Sequence, residues 1–97
     1  MMVQAQFLPE DVFEIKGRGL VMTGKLISGV IKIGMATRIL SNEVQIEAIE
    51  GFRKNWEVVD AAKDGQKDLG LLLVNTERDA VKNLIAQKMP LVFEGQE

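Results

Sequence analysis

The stretch Asp11-Val12-Phe13-Glu14-Ile15-Lys16-Gly17-Arg18-Gly19-Leu20-Val21-Met22-Thr23-Gly24-Lys25 decides the fold. Val12 to Lys16 mixes β-branched and aromatic residues with charged ones, the composition of a half-exposed strand. Gly17-Arg18-Gly19 breaks it, because glycine tolerates the backbone conformations that a tight turn needs. Leu20 to Ser28 resumes as a β-rich run with Gly24 in its interior, where a missing side chain marks a bulge or a sharp barrel bend. The reading is strand, turn, bent strand.

The same grammar continues downstream. Ser28-Gly29 is a break, and Val30 to Ile33 is a brief strand or connection that Gly34 ends before Thr37 to Leu40. After the turn signal Ser41-Asn42, Val44, Ile46 and Ala48 alternate and Ile49 falls out of phase, which predicts a bulge or twist at Ala48-Ile49-Glu50, with Phe52-Arg53-Lys54 continuing the strand. Asn55 to Ala62 is ambiguous, with Val58-Val59 as a candidate strand core, and Lys63 to Lys67 is a polar turn. Leu69 to Val74 is a buried strand, too short and too apolar for a typical helix. One segment departs from this pattern. In Glu77 to Lys88, Ala80, Val81, Leu84 and Ile85 recur at helical spacing, Glu77 and Asp79 sit in the first turn and Lys88 near the end, as the helix dipole favours. Thr76 is the candidate cap, Pro90 the stop and Leu91-Val92-Phe93 a closing strand. Short strands, many glycines and one late helix favour an all-β Greek-key-type barrel over an open sheet, since closure removes exposed edges.

Composition bounds the function. Ninety-seven residues fit a single domain, here 1–97, and no linker or repeat divides them. Cysteine and histidine are both absent. No disulfide framework, thiolate nucleophile or sulfur-rich zinc site is therefore available, and the side chain best suited to proton transfer near neutral pH is missing. The expectation is no catalytic residue, no metal site and no cofactor. Twelve Lys plus Arg against 14 Asp plus Glu give a net charge of -2, the wrong sign for coating nucleic acid by bulk electrostatics, so any RNA contact has to be local. The start Met1-Met2-Val3-Gln4 lacks a basic region followed by a long apolar run, and no stretch nears the roughly 20 apolar residues that span a bilayer. The expected setting is cytoplasmic, without a membrane partner.

Three motifs invite sharper readings. Gly19-Leu20-Val21-Met22-Thr23-Gly24-Lys25-Leu26 is one residue from the phosphate-loop pattern, but Leu26 cannot ligate magnesium and the segment reads as strand, not as the entry to a helix. Glu10, Asp11 and Glu14 form one acidic patch and Asp60, Asp64 and Asp68 another. Neither has calcium-loop spacing, so both read as the wet side of the fold. Trp56, beside Arg53 and Lys54, has the chemistry to stack a base, yet a lone Trp in a small domain more often packs structurally.

The opening stretch resembles the start of the second domain of elongation factor Tu and related translational GTPases, with the pattern D-V-F-x-I-x-G-R-G-T-V-V-T-G-R. Gly29-Val30-Ile31-Lys32-Ile33-Gly34 is similar to that family's G-x-I-K-x-G connection, Ile49-Glu50-Gly51-Phe52-Arg53-Lys54 to its V-E-M-F-R-K, and Gly70-Leu71-Leu72-Leu73 to its G-V-L-L strand. The matches keep the family's order over about residues 10 to 74. Leu20 and Met22 replace a family Thr and Val, and Thr76 to Pro90 is less similar. The resemblance implies a closed six-stranded barrel without the GTPase part, hence no enzyme. It also implies a binding module for the 3' end of aminoacyl-tRNA or other RNA, or for a nucleotide, with Glu10, Asp11, Phe13, Ile15, Glu50 and Leu72 at the positions that line the family's pocket. The alternative is a protein-interaction module that docks to a ribosome, a translation factor or itself.

Overall fold

The computed structural model describes residues 2–51 and 53–96. In chain order the elements are β1 (Met2–Ile15), β2 (Gly19–Lys32), β3 (Ala36–Ile39), β4 (Asn42–Gly51), β5 (Lys54–Trp56), β6 (Val58–Asp60), α1 (Ala61–Asp64), β7 (Asp68–Val74), α2 (Arg78–Gln87) and β8 (Leu91–Gln96). Six strands close a ring in the order β1-β8-β3-β4-β7-β2, with β2 pairing back onto β1, while β5 extends β4 and β6 extends β2. Every strand pairing is antiparallel. The expected all-β closed six-stranded barrel is the observed one.

The first strand runs further than the sequence reading placed it. Ala5, Phe7 and Pro9 are buried while Gln4 and Gln6 are exposed, a period of two that carries β1 back to Met2. Pairing with β2 slips between Pro9 and Asp11, so Glu10 is the extra residue of a bulge, and Val12 faces inward again. Pro9 sits beside that bulge, where a strand tolerates a missing N–H.

Ser28-Gly29 does not break β2. Gly29 takes φ +83° within a continuous strand, and a β-carbon there would overlap the Gln4 carbonyl oxygen. The kink changes partners: Leu20 to Lys25 pair with β7, and Val30 to Lys32 pair with β6. The expected irregularity in β4 is a bulge at Glu47, since Ile46 faces Leu73 and Ala48 faces Leu72. β4 ends at Gly51 and β5 begins at Lys54, so Arg53, at φ 62°, is a turn residue and not a continuation of the strand. Phe52 of that motif lies outside the described residues, as does Met1.

The barrel fills with side chains from all its walls. Phe7, Met22, Leu26, Ile31, Ile46, Ile49, Leu71 and Phe93 are fully buried, and the Phe7 and Phe93 rings meet edge to face at 6.4 Å. At the β3–β8 seam Ala36 and Glu94 are the one pair among the described residues, and the buried Thr37 hydroxyl bridges it by donating to the Val92 carbonyl at 2.8 Å.

α2 lies against β1 with Val81 buried and Ala80, Leu84 and Ile85 half-buried against the core. Its N-cap is Glu77, which makes no side-chain capping bond, and not Thr76. The helix stops before Pro90: Lys88 adopts the left-handed conformation and its N–H reaches back to the Ile85 carbonyl. The supposed polar turn after Ala62 holds a single helical turn, α1. The Asp60 carboxylate accepts from Ala62 N–H at 2.9 Å and the Asp64 carboxylate from Asp60 N–H at 3.0 Å, a reciprocal cap that stabilises a four-residue helix.

Candidate functional site

Because side chains alternate along a strand, Leu20 and Met22 of β2 and Leu71 and Leu73 of β7 fill the barrel while Val21 and Leu72 point outward. Register then assembles an outer-face row: Phe13 on β1 faces Val21 on β2, Val21 faces Leu72 on β7, and Leu72 faces Ala48 on β4. A second row runs Asp11, Thr23, Gly70, Glu50 across the same strands. Ile15 stands opposite Gly19 at the end of the β1–β2 ladder. Thus Asp11, Phe13, Ile15, Glu50 and Leu72, spread over 62 positions of sequence, share one face of the barrel. Glu10 does not join them. As the bulge residue it lines a groove toward α2 with Leu8, Pro9, Ile85 and Lys88.

The face has an apolar floor. Val21 is 3% and Leu72 8% exposed although both point away from the core, whereas Phe13 at their edge is 42% exposed. Glycines keep the floor low: Gly70 lies between Thr23 and Glu50, with Val21 Cγ1 3.3 Å from where its β-carbon would be, and Leu72 Cδ1 is 3.5 Å from the same point on Gly19. Val21 and Leu72 are thus covered by their neighbours, and the face presents outward the Phe13 edge with the Asp11 and Glu50 carboxylates beside it.

Arg18, the middle residue of the Gly17-Arg18-Gly19 turn, forms an ion pair with Glu50. The pair reaches from the β1–β2 turn to β4 and so spans β7, the strand that carries Leu72. Its side chains are 45% and 26% exposed, where an ion pair contributes up to about 1 kcal/mol and breaks readily. Neither the pair nor the floor role of Val21 was legible from the motifs. Register alone brings Val21 under Phe13 and Leu72. Asp11, for its part, accepts a hydrogen bond from the Val12 N–H at 2.8 Å, a local turn-type contact within the bulged strand.

Gly19 to Lys25 lies wholly within strand β2, with Lys25 opposite Asp68 on β7. In the second acidic patch, Asp60 and Asp64 are the reciprocal caps of α1 and Asp68 is exposed. Trp56 is half-buried, packs against the core, and carries the Lys54 ammonium 4.0 Å from its ring centroid.

No protein-family model matches the chain. No helix among the described residues is long and apolar enough to cross a membrane. Among solved structures, the chain is similar to part of the crystal structure of translation elongation factor SelB from Methanococcus maripaludis in its apo form. The TM-score is 0.66 and the identity 18%, over 96% of this chain and 18% of that chain. The chain therefore spans under a fifth of that factor's length, and at this identity what the two share is a fold.

Proposed function

We propose that the chain is a noncatalytic binding module of the translation-elongation-factor kind, which receives the 3' end of an aminoacyl-tRNA or other RNA on the outer face of β1, β2, β7 and β4. The observation that carries this reading is the register that sets Phe13, Ile15 and Leu72 around the Val21 floor with Glu50 at its rim. Exposed bases of single-stranded RNA are recognised by apolar or aromatic faces together with hydrogen bonds to their edges and to the ribose hydroxyls. The exposed Phe13 edge, backed by the buried Val21 and Leu72, offers the first, and the Glu50 and Asp11 carboxylates accept from ribose hydroxyls or an exocyclic amino group. The fold shared with a part of an elongation factor gives this reading its context.

The test is a titration with CCA-ended oligonucleotides and aminoacylated tRNA. A few base and ribose contacts on an isolated barrel give micromolar or weaker binding. Glu50→Ala should weaken it by roughly 1–3 kcal/mol, as expected for losing one good contact, while the thermal unfolding curve stays nearly in place. Equal binding by Glu50→Ala and the parent protein, or no binding at millimolar RNA, rejects the pocket. In that case the exposed Phe13 edge of the same face serves the second reading, a protein-docking surface, and a pull-down dependent on Phe13 replaces the RNA titration.

A further inference from the structure

On another part of the barrel, two ammonium groups converge on a single indole. The Lys54 Nζ lies 4.0 Å and the Lys67 Nζ 5.8 Å from the Trp56 ring centroid. The two lysines come from separate elements, Lys54 from the start of β5 and Lys67 from the residue before β7. Both are held by backbone: Lys54 pairs with Gly51 across the β4–β5 hairpin, and the Lys67 carbonyl accepts from Leu26 N–H at 2.9 Å. Neither ammonium pairs with a carboxylate among the described residues. Two like charges drawn to one aromatic ring repel each other, and a single cation over the ring already supplies the stabilising contact. The second cation is left unneutralised beside an aromatic surface.

The surroundings define the ligand. Gly51 lets the indole lie directly on the β4 backbone, since a β-carbon there would come within 2.6 Å of Trp56 Nε1. Trp56, Gly51, Lys67, Asp68 and Leu69 line a groove of about 390 Å³, within the size range of small-ligand sites. The Asp68 carboxylate in that groove opposes a bare anion but accepts hydrogen bonds from a base amino group or a ribose hydroxyl. Cations for phosphate, an aromatic face for a base and an acceptor in the same groove describe a nucleotide unit.

We propose that β5 and the entry to β7 form a contact site for single-stranded nucleic acid, in which a base stacks on Trp56 and the adjoining phosphates are neutralised by Lys54 and Lys67. The Lys54 ammonium, now over the ring, moves to a phosphate as the base takes its place. Stacking of this kind accepts any base, so the site tracks a strand and does not read its sequence. None of its residues belongs to the outer-face pocket, so it stands or falls separately from the function proposed above.

Trp56 is the only tryptophan of the chain, so its emission reports on this site alone. The probe is a six-residue oligoadenylate carrying a 3'-phosphate, which has no free 3' end for the outer face. Saturable quenching is expected, with log K falling against log salt at a slope of about −1.4, as two neutralised phosphates give on a single strand. Lys54→Ala and Lys67→Ala should each weaken binding at least roughly threefold and halve that slope, the loss of one phosphate contact. Glu50→Ala should leave it unchanged. Trp56→Phe, followed by anisotropy of a labelled oligonucleotide, should retain weakened binding. Overturning results are unchanged binding in both lysine variants, equal quenching by inorganic phosphate, or quenching only by oligonucleotides with a free CCA end that is lost in Glu50→Ala. The last of these would assign the signal to the outer face and leave the pocket standing without this site.

Discussion

A β-carbon at Gly24 would overlap the Leu8 carbonyl oxygen and crowd the Phe7 ring and Pro9 Cα at 2.9 Å, so this glycine is required by the close approach of β1 and β2 and not by an unusual backbone angle. Gly24→Val should therefore lower unfolding stability by on the order of 1–3 kcal/mol, the usual cost of overpacking, and chemical denaturation that leaves the midpoint in place would refute the close approach. Arg18 behaves differently. Its pair with Glu50 is exposed, so Arg18→Ala should change stability by less than about 1 kcal/mol while freeing the Glu50 carboxylate. CCA-ended RNA should then bind at least as tightly as to the parent protein, and a weakening as large as that of Glu50→Ala would show that Arg18 is itself a contact. The motifs made individual positions legible because each glycine, carboxylate and aromatic residue has its own chemistry. They could not make the pairing of Arg18 with Glu50 legible, since that depends on which strands are neighbours across 32 residues of sequence.

Helix α2 ends on Lys88, a non-glycine residue at φ 54°, and a left-handed backbone there costs an L-residue about 1–2 kcal/mol. Glycine at that position is offset in part by its greater freedom in the unfolded chain, so Lys88→Gly should stabilise by roughly 0.5–1 kcal/mol and raise Tm by about 2–8 °C in calorimetry. A lower Tm would mean that the Lys88 side chain, which lines the groove with Ile85 and Glu10, contributes more than its backbone costs. The helix body was legible because Ala80, Val81, Leu84 and Ile85 carry its period, whereas its start was not, since no side-chain hydrogen bond marks Glu77 as the cap. Elements with weak local signals were missed for specific reasons. The Met2 to Glu10 half of β1 alternates cleanly, but Pro9-Glu10-Asp11 hides its continuity behind a bulge. Gly29 looks like a terminator and acts as a kink, because the hydrogen bonds that carry β2 past it come from β6, a three-residue strand with little pattern of its own.

Closure joins the two ends of the chain: Met2 pairs with Gln96 and Phe7 with Leu91, so β8 completes a wall that β1 begins. The local hairpins leave this seam to the last and most distant contacts, whose loop entropy must be met before burial offsets it. Removing residues 91–97 would open the ring at β1 and at β3 together, expose the row of backbone groups that β8 covers, and delete the buried Leu91 and Phe93 from the core. A buried Phe alone is worth about 3–5 kcal/mol, and a domain of this length has only about 5–15 kcal/mol in total. The truncated chain should therefore lose its cooperative unfolding transition, and β1 without its partner should make it prone to aggregate. A synthetic peptide of residues 88–97 added in excess should restore the transition, because the strand is needed in the wall and not in the covalent chain. A truncated protein that melts as sharply as the parent would show that β1 and β2 with β7, β4 and β3 form a stable open sheet, and that closure contributes little to the fold.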